Sequence, residues 1–223
     1  MGRKEWEAVA FDLTMYCPVV TGRSRLAPGM ELFRWLLSPH GPREMRPNWK
    51  PARGYACDNG AWTCHKAGIP FDDDLYRRFL ELRGEGADWV VVPDRVGDMQ
   101  ATLEMFEAWL PELDGLPLML ALQDGMKPAD VAAMAPRLTG LFLGGTTEYK
   151  LASMRMWGDW SLEQGLLLHV ARVNTIKRIR LCEGARAHSC DGSSVVHFPS
   201  TIAKLTGYVR ERKRQVQLFG GMK

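Results

Sequence analysis

The chain has 223 residues, 46% apolar and 25% charged, with a formal net charge of +3. That balance excludes wholesale disorder, and no apolar run approaches the ~20 residues a helix needs to cross a bilayer. Five scattered cysteines (Cys17, Cys57, Cys64, Cys182 and Cys190), odd in number and without a CxxC, fit free thiols in a reducing compartment better than a disulfide framework or a zinc motif. The N-terminal MGRKEWEAVAFD places acids before any hydrophobic stretch, so no cleavable signal is expected. A cytoplasmic location is expected, in a host cytoplasm if the source is viral. A single domain over 1–223 suits the length.

In chain order, Val9–Leu13 is a candidate first strand. Residues 38–54, SPHGPREMRPNWKPARG, contain four prolines and read as a long loop of the kind that often carries function. After it, short apolar runs alternate with helical patterns. Strands are expected over 54–57, 89–92, 118–122, 141–143, 166–170 and 187–190, and helices near 72–83, 98–110, 128–136, 148–156, 174–184 and 200–216. Asp72, Asp73 and Asp74 open the first of these helices. Carboxylates there cap free amides and suit the helix dipole, which favours a helix start over a metal site.

Strands rich in Val and Leu on both faces, alternating with helices, imply a parallel sheet covered by helices. The residues at the strand ends sharpen this. YAC ends in Asp58, VVVP in Asp94, MLAL in Gln123, LFL in Gly144-Gly145, LLL in His169 and HSC in Asp191. Packing alone does not end three buried strands in carboxylates. In a (β/α)8 barrel the carboxyl ends of the strands converge on one mouth, where catalytic groups are displayed. No GxGxxG or GxxxxGK[ST] follows any strand, so nucleotide-binding open sheets lose ground. The expectation is α/β, a compact (β/α)8 TIM-like barrel with some helices short or missing.

Three carboxylates at one mouth suit transfer at a glycosidic carbon. One attacks, one shuttles a proton, and one reads a donor-rich ligand edge, with an anion stabilising an oxocarbenium-like transition state. Spacing alone does not say which Asp has which role.

CDNGAW (57–62) resembles the DSGGF-type motif of the tRNA-guanine transglycosylase family. VVVPD (90–94), ALQDG (121–125) and LFLGG (141–145) resemble, in the same order, that family's base-binding strand ends. HVARVNTIKRI…GARAHSCDGSS (169–194) is most similar to the branch that modifies DNA, the deazapurine DNA modification transglycosylases. The resemblance implies a DNA guanine transglycosylase that exchanges guanine for a 7-deazaguanine such as 7-cyano-7-deazaguanine (preQ0). It makes Asp191 the nucleophile and Asp58 the general acid/base. Asp94 would read the N1–H and exocyclic amine of the base, with Gln123 and the Gly144–Gly145 backbone at O6. Trp62 would be the stacking aromatic, although it also reads as a core tryptophan. His169 falls near the base pocket, although a lone His also reads as a hydrogen-bonded structural residue. Arg95 and Asp98 could pair across a turn with no catalytic role.

The zinc motif of the tRNA enzymes has no counterpart, since no cysteine follows Cys190; no metal or cofactor is expected. Thr146–Glu148 matches the family's glycine–glutamate segment only loosely, which leaves the incoming base open. A reduced tRNA-guanine transglycosylase and a silent nucleic-acid-binding subunit remain alternatives, and a homodimer is left open.

Charge distribution adds a partner. Residues 169–223 hold eleven Lys or Arg against Glu183, Asp191 and Glu211, a polarity that suits nucleic acid. Arg172, Lys177 and Arg178, together with Arg210, Lys213 and Arg214 on the basic C-terminal helix, are the candidate DNA-backbone contacts. A solvated basic face is the alternative.

Overall fold

The computed structural model describes residues 13–19 and 28–219. Eight parallel strands close into a barrel in chain order: β1 (Thr14–Pro18), β2 (Phe33–Leu37), β3 (Tyr55–Cys57), β4 (Val90–Val91), β5 (Leu118–Leu122), β6 (Gly140–Leu143), β7 (Leu167–Val170) and β8 (Ser189–Asp191). β8 returns to β1, setting Tyr16 opposite Asp191. The expected barrel is therefore what forms. The candidate strand at Val9–Leu13 lies almost wholly outside the described residues, and the first described strand begins at Thr14. β1 and β2 were not expected. Arg34 interrupts the apolar run of β2.

Strand alternation sorts side chains into two shells. On β2, Phe33, Trp35 and Leu37 point outward into the large core beneath the helices. Arg34 and Leu36 point inward. The inner shell contains Tyr16, Ala56, Trp89, Val91, Met119 and Ala121, with Leu36, Phe142 and Leu167 packed on it. Trp89 packs on Tyr16 and Phe142, so the barrel interior is filled, not open. At the amino end of the strands Arg34 forms a forked ion pair with Asp88, which also accepts from the Tyr16 hydroxyl at 2.8 Å.

Helices α1 (Ala61–Ala67), α2 (Asp73–Arg83), α3 (Met99–Trp109), α4 (Pro128–Val131), α5 (Thr147–Gln164), α6 (Ile176–Gly184), α7 (Ser194–His197) and α8 (Pro199–Phe219) surround it. The acid triplet does start a helix, with Asp72 accepting from the Leu75 amide at 2.9 Å. Asp98 caps α3 through the Ala101 amide at 3.0 Å, in place of the ion pair with Arg95 considered above. Pro136 stops the helix expected over 128–136, which breaks into α4 and a 3-10 turn. α5 runs eight residues past its expected end because its buried face mixes Lys150, Ser153 and Ser161 with Met154 and Trp157, which hides the helical period. α1 and α7 were also missed. Between β2 and β3 the loop over 38–54 carries no helix. None of the described helices is long and apolar enough to cross a membrane. All five cysteines are buried and free.

Candidate active site

A cavity of about 530 Å³ opens at the carboxyl ends of the strands. Asp58, Asp94, Gln123, Gly144, Gly145, Trp62 and Asp191 all line it. Seven of the eight residues expected at the reacting centre and base pocket thus meet there from the ends of five strands.

Asp58 directly follows β3, and its amide continues the ladder to Leu37 O at 2.8 Å. The chain then turns through Gly60 in the left-handed region (φ 81°), which brings the Gly60 amide to Asp58 Oδ1 at 2.8 Å. The Asp58 carboxyl is pushed up to about 7 by burial, opposed by the Gly60 hydrogen bond and reinforced by the charges of Asp191 and Asp94. It is a proton-carrying group at neutral pH.

Asp94 is clamped from two sides. Asn59 Nδ2 donates to Oδ1 at 2.6 Å and Gln123 Nε2 to Oδ2 at 2.7 Å. Burial raises its carboxyl to about 6, against those two hydrogen bonds. Asn59 is fully engaged, donating also to Val92 O and accepting from the Ala61 amide that opens α1. Gln123 Oε1 accepts from Gly97 N at 2.9 Å, so one Nε2 hydrogen of Gln123 is left for a ligand. Asn59 is a site residue that the sequence reading missed, although it sits inside the CDNGAW motif.

Asp191 ends β8. Both of its oxygens accept from the Arg172 backbone amide, at 3.0 and 3.2 Å. His169 Nε2 lies 3.3 Å from Oδ2, and His169 Nδ1 lies 2.8 Å from the Ser189 hydroxyl. Donation from Nε2 to the carboxylate leaves Nδ1 to accept from Ser189. These contacts correct the assignment of His169 to the base pocket. β7 continues past it to Val170, so His169 lies within a strand, wholly buried, stacked on Phe142 and packed on Trp89. Its ring holds Asp191 from below and does not line the cavity.

Trp62 is 42% exposed, which removes the core-tryptophan reading. One neighbour of its ring is His65 at 5.6 Å, and the Arg172 guanidinium lies over the ring at 4.2 Å. The same guanidinium donates to Gly145 O. Gly145 sits at φ 70°, where a Cβ would strike the Asp124 carboxylate. Arg172, expected as a DNA-backbone contact, is therefore a wall of the cavity. Asn174, which also lines the cavity, accepts from the Ser194 amide through Oδ1 at 3.1 Å.

The basic residues divide between the two ends of the barrel. Lys177 and Arg178 begin α6, whose first turn holds no acid, at the cavity end. α8 starts at that end and runs back along the barrel. Thr206 packs against Gly29, and Arg210 pairs with Glu31 at 3.0 Å beside the turn leading into β2. Tyr208 and Arg212 bind Glu183 in the last turn of α6. Arg210, expected as a DNA-backbone contact, thus lies at the amino ends of the strands, opposite the cavity. The side chains of Lys213 and Arg214 lie outside the described residues. Among the described residues no cluster of His, Cys, Asp or Glu could hold a metal ion.

Compared with known proteins, the chain matches no protein-family model and no curated sequence.

Proposed function

We propose that this chain is a DNA guanine transglycosylase, exchanging guanine for a 7-deazaguanine base through a covalent glycosyl-Asp191 intermediate. The observation that carries this reading is the division of labour among three carboxylates in one cavity. Asp191 is held by donors and oriented for attack, Asp58 holds a proton near neutrality, and Asp94 is fixed by Asn59 and Gln123 as an acceptor edge. The resemblance of the strand-end motifs to the transglycosylases supports the same assignment. A cavity of about 530 Å³ is in the ordinary range for a small-molecule site.

In this reading an Asp191 oxygen bonds to C1′ as the C1′–N9 bond breaks. The bonding pair goes to N9, and Asp58 gives its proton there. Guanine leaves and the incoming base enters. Asp58, now a carboxylate, takes the N9 proton of that base as N9 attacks C1′ and Asp191 departs. Asp94 accepts from N1–H and the exocyclic amine, and the free Nε2 hydrogen of Gln123 reaches O6. The base lies against the Trp62–Arg172 layer, since both an aromatic ring and a guanidinium plane stack on bases. A base within a duplex cannot reach these groups, so the target nucleotide is flipped out or single-stranded. Its flanking phosphates meet Lys177, Arg178 and the amino end of α6.

The test is base exchange with purified protein. DNA and, in parallel, tRNA are incubated with 7-cyano-7-deazaguanine, digested to nucleosides and analysed by mass spectrometry. Deazaguanine nucleosides in DNA are expected. Their appearance in tRNA alone overturns the choice of DNA, and their absence from both overturns the reaction.

A further inference from the structure

One peptide bond beside the site is gripped at both ends. The Ala171 carbonyl accepts from Lys150 Nζ at 2.6 Å. The amide of the same peptide, on Arg172, is the one that donates to both oxygens of Asp191. Arg172 adopts a left-handed conformation (φ 58°) to make this possible, a region that a side chain other than glycine rarely occupies. Lys150 belongs to α5, is 5% exposed and does not line the cavity. It also sits near the amino end of its helix, the end that disfavours a cation. Burial and position both oppose an ammonium there, so its partner must hold it in place.

We infer that Lys150 is a positioning residue that supports the Asp191 carboxylate through the Ala171–Arg172 peptide. Cation, peptide dipole and anion stand in series. The ammonium polarises the carbonyl, the polarised amide becomes a stronger donor, and the carboxylate is fixed in the orientation from which it attacks. The strained turn at Arg172 is the geometric condition for this series. The charged and titratable groups facing Lys150 are Arg172 in the loop after β7, Asp191 on β8, and Arg178 and Cys182 on α6. Burial lowers the Lys150 ammonium to about 8, with Arg172 and Arg178 lowering it and Asp191 and Cys182 raising it. The series is therefore intact at neutral pH and is lost as pH rises through about 8.

The catalytic consequence rests on the transglycosylase reading; the linkage itself does not, and the two are tested separately. The first measurement is the assigned backbone amide resonance of Arg172 in the intact chain, followed from pH 6.5 to 9.5. It is expected to move upfield through a midpoint near 8 in wild type and in Asp58→Asn, and to show no such step in Lys150→Met. An unmoving resonance, or a step that persists in Lys150→Met, overturns the linkage. Should Lys150→Met fail to fold, the wild-type and Asp58→Asn titrations decide alone. The second measurement is exchange kinetics. Lys150→Met is expected to lower kcat at pH 7 by about tenfold, within the loss that a small misplacement of a reacting group produces, with KM for the base unchanged. Beyond the alkaline fall that Asp58 sets near pH 7 in both proteins, wild-type kcat should show a further step near pH 8 that is absent from the variant. Unchanged kcat with a lower melting temperature reduces Lys150 to a packing role and overturns the inference. If no chain exchanges bases yet the resonance behaves as expected, the transglycosylase reading fails and the linkage stands.

Discussion

Replacing Asp58 by Asn should stabilise the protein, and by an amount that grows with pH. In the fold its carboxyl is raised from 3.8 to about 7 by burial, with Asp191 and Asp94 adding to the effect. The unfolded chain releases this proton near pH 4, whereas the folded chain holds it to near pH 7. Stability contributed by the protonated group is thus fully present below about 4 and is lost as pH rises to about 7. A shift of about 3 units at ~1.4 kcal/mol each sets a ceiling of about 4 kcal/mol. Asp58 is partly open to the cavity, and halving for solvent screening leaves about 2 kcal/mol. Asn keeps the Oδ1 acceptor for the Gly60 amide and never has to ionise. Urea unfolding of both proteins at pH 4.5, 6 and 8 reads the difference directly. The variant's advantage should be small at pH 4.5 and reach about 2 kcal/mol at pH 8, or a rise in Tm of roughly 5 °C for a chain of this size. A difference that stays flat with pH would show that Asp58 is not the strained proton carrier described here.

Asp191→Asn keeps the shape of β8 but removes the attacking anion, so a folded protein with no base exchange and no covalent DNA adduct on denaturing gels is expected; substantial exchange removes Asp191 from that role. Asp94→Asn places an amide before two donors, Asn59 Nδ2 and Gln123 Nε2, and takes an acceptor from the base. Calorimetric titration with a 7-deazaguanine should show affinity falling by about 10⁴-fold, and unchanged affinity rules Asp94 out as the reader. Lys177→Ala with Arg178→Ala should flatten the salt dependence of DNA affinity by about 0.9 in the log–log slope per lost duplex phosphate contact. Arg210→Ala should leave that slope unaltered, and the reverse result would move the DNA surface to the other end of the barrel.

The barrel and most of its site were readable because the chemistry sits where strands stop. Asp58, Asp94, Gln123 and Asp191 interrupt apolar runs, and a parallel barrel carries all such interruptions to one end. His169 broke this logic because it was read as a strand-end residue although the strand expected over 166–170 carries it inside, as β7 (Leu167–Val170) does. Alternation along β7 sets His169 on the inward face with Leu167, where it reaches Ser189 and Asp191 on the neighbouring strand. The distance of Arg210 from the cavity was also legible in the sequence. A helix that follows the last strand runs back toward the amino ends at 1.5 Å per residue, which carries Arg210 about 16 Å from the start of α8. Lys150 was not legible. A lysine on a helix reads as solvated, and only the fold brings Ala171 O to its ammonium.

The filled interior beneath the cavity governs the order of events above it. Tyr16, Trp89, Met119 and His169 leave no passage through the barrel, and Arg34 with Asp88 seals its far end. Whatever enters the cavity must leave by the same doorway. Under the proposed function, two exchanging bases could not queue on opposite sides of the reacting carbon; the outgoing one would have to clear the opening before its replacement arrived. In the proposed reaction, a covalent hold on the sugar during that interval would keep the strand from being lost between the two visits.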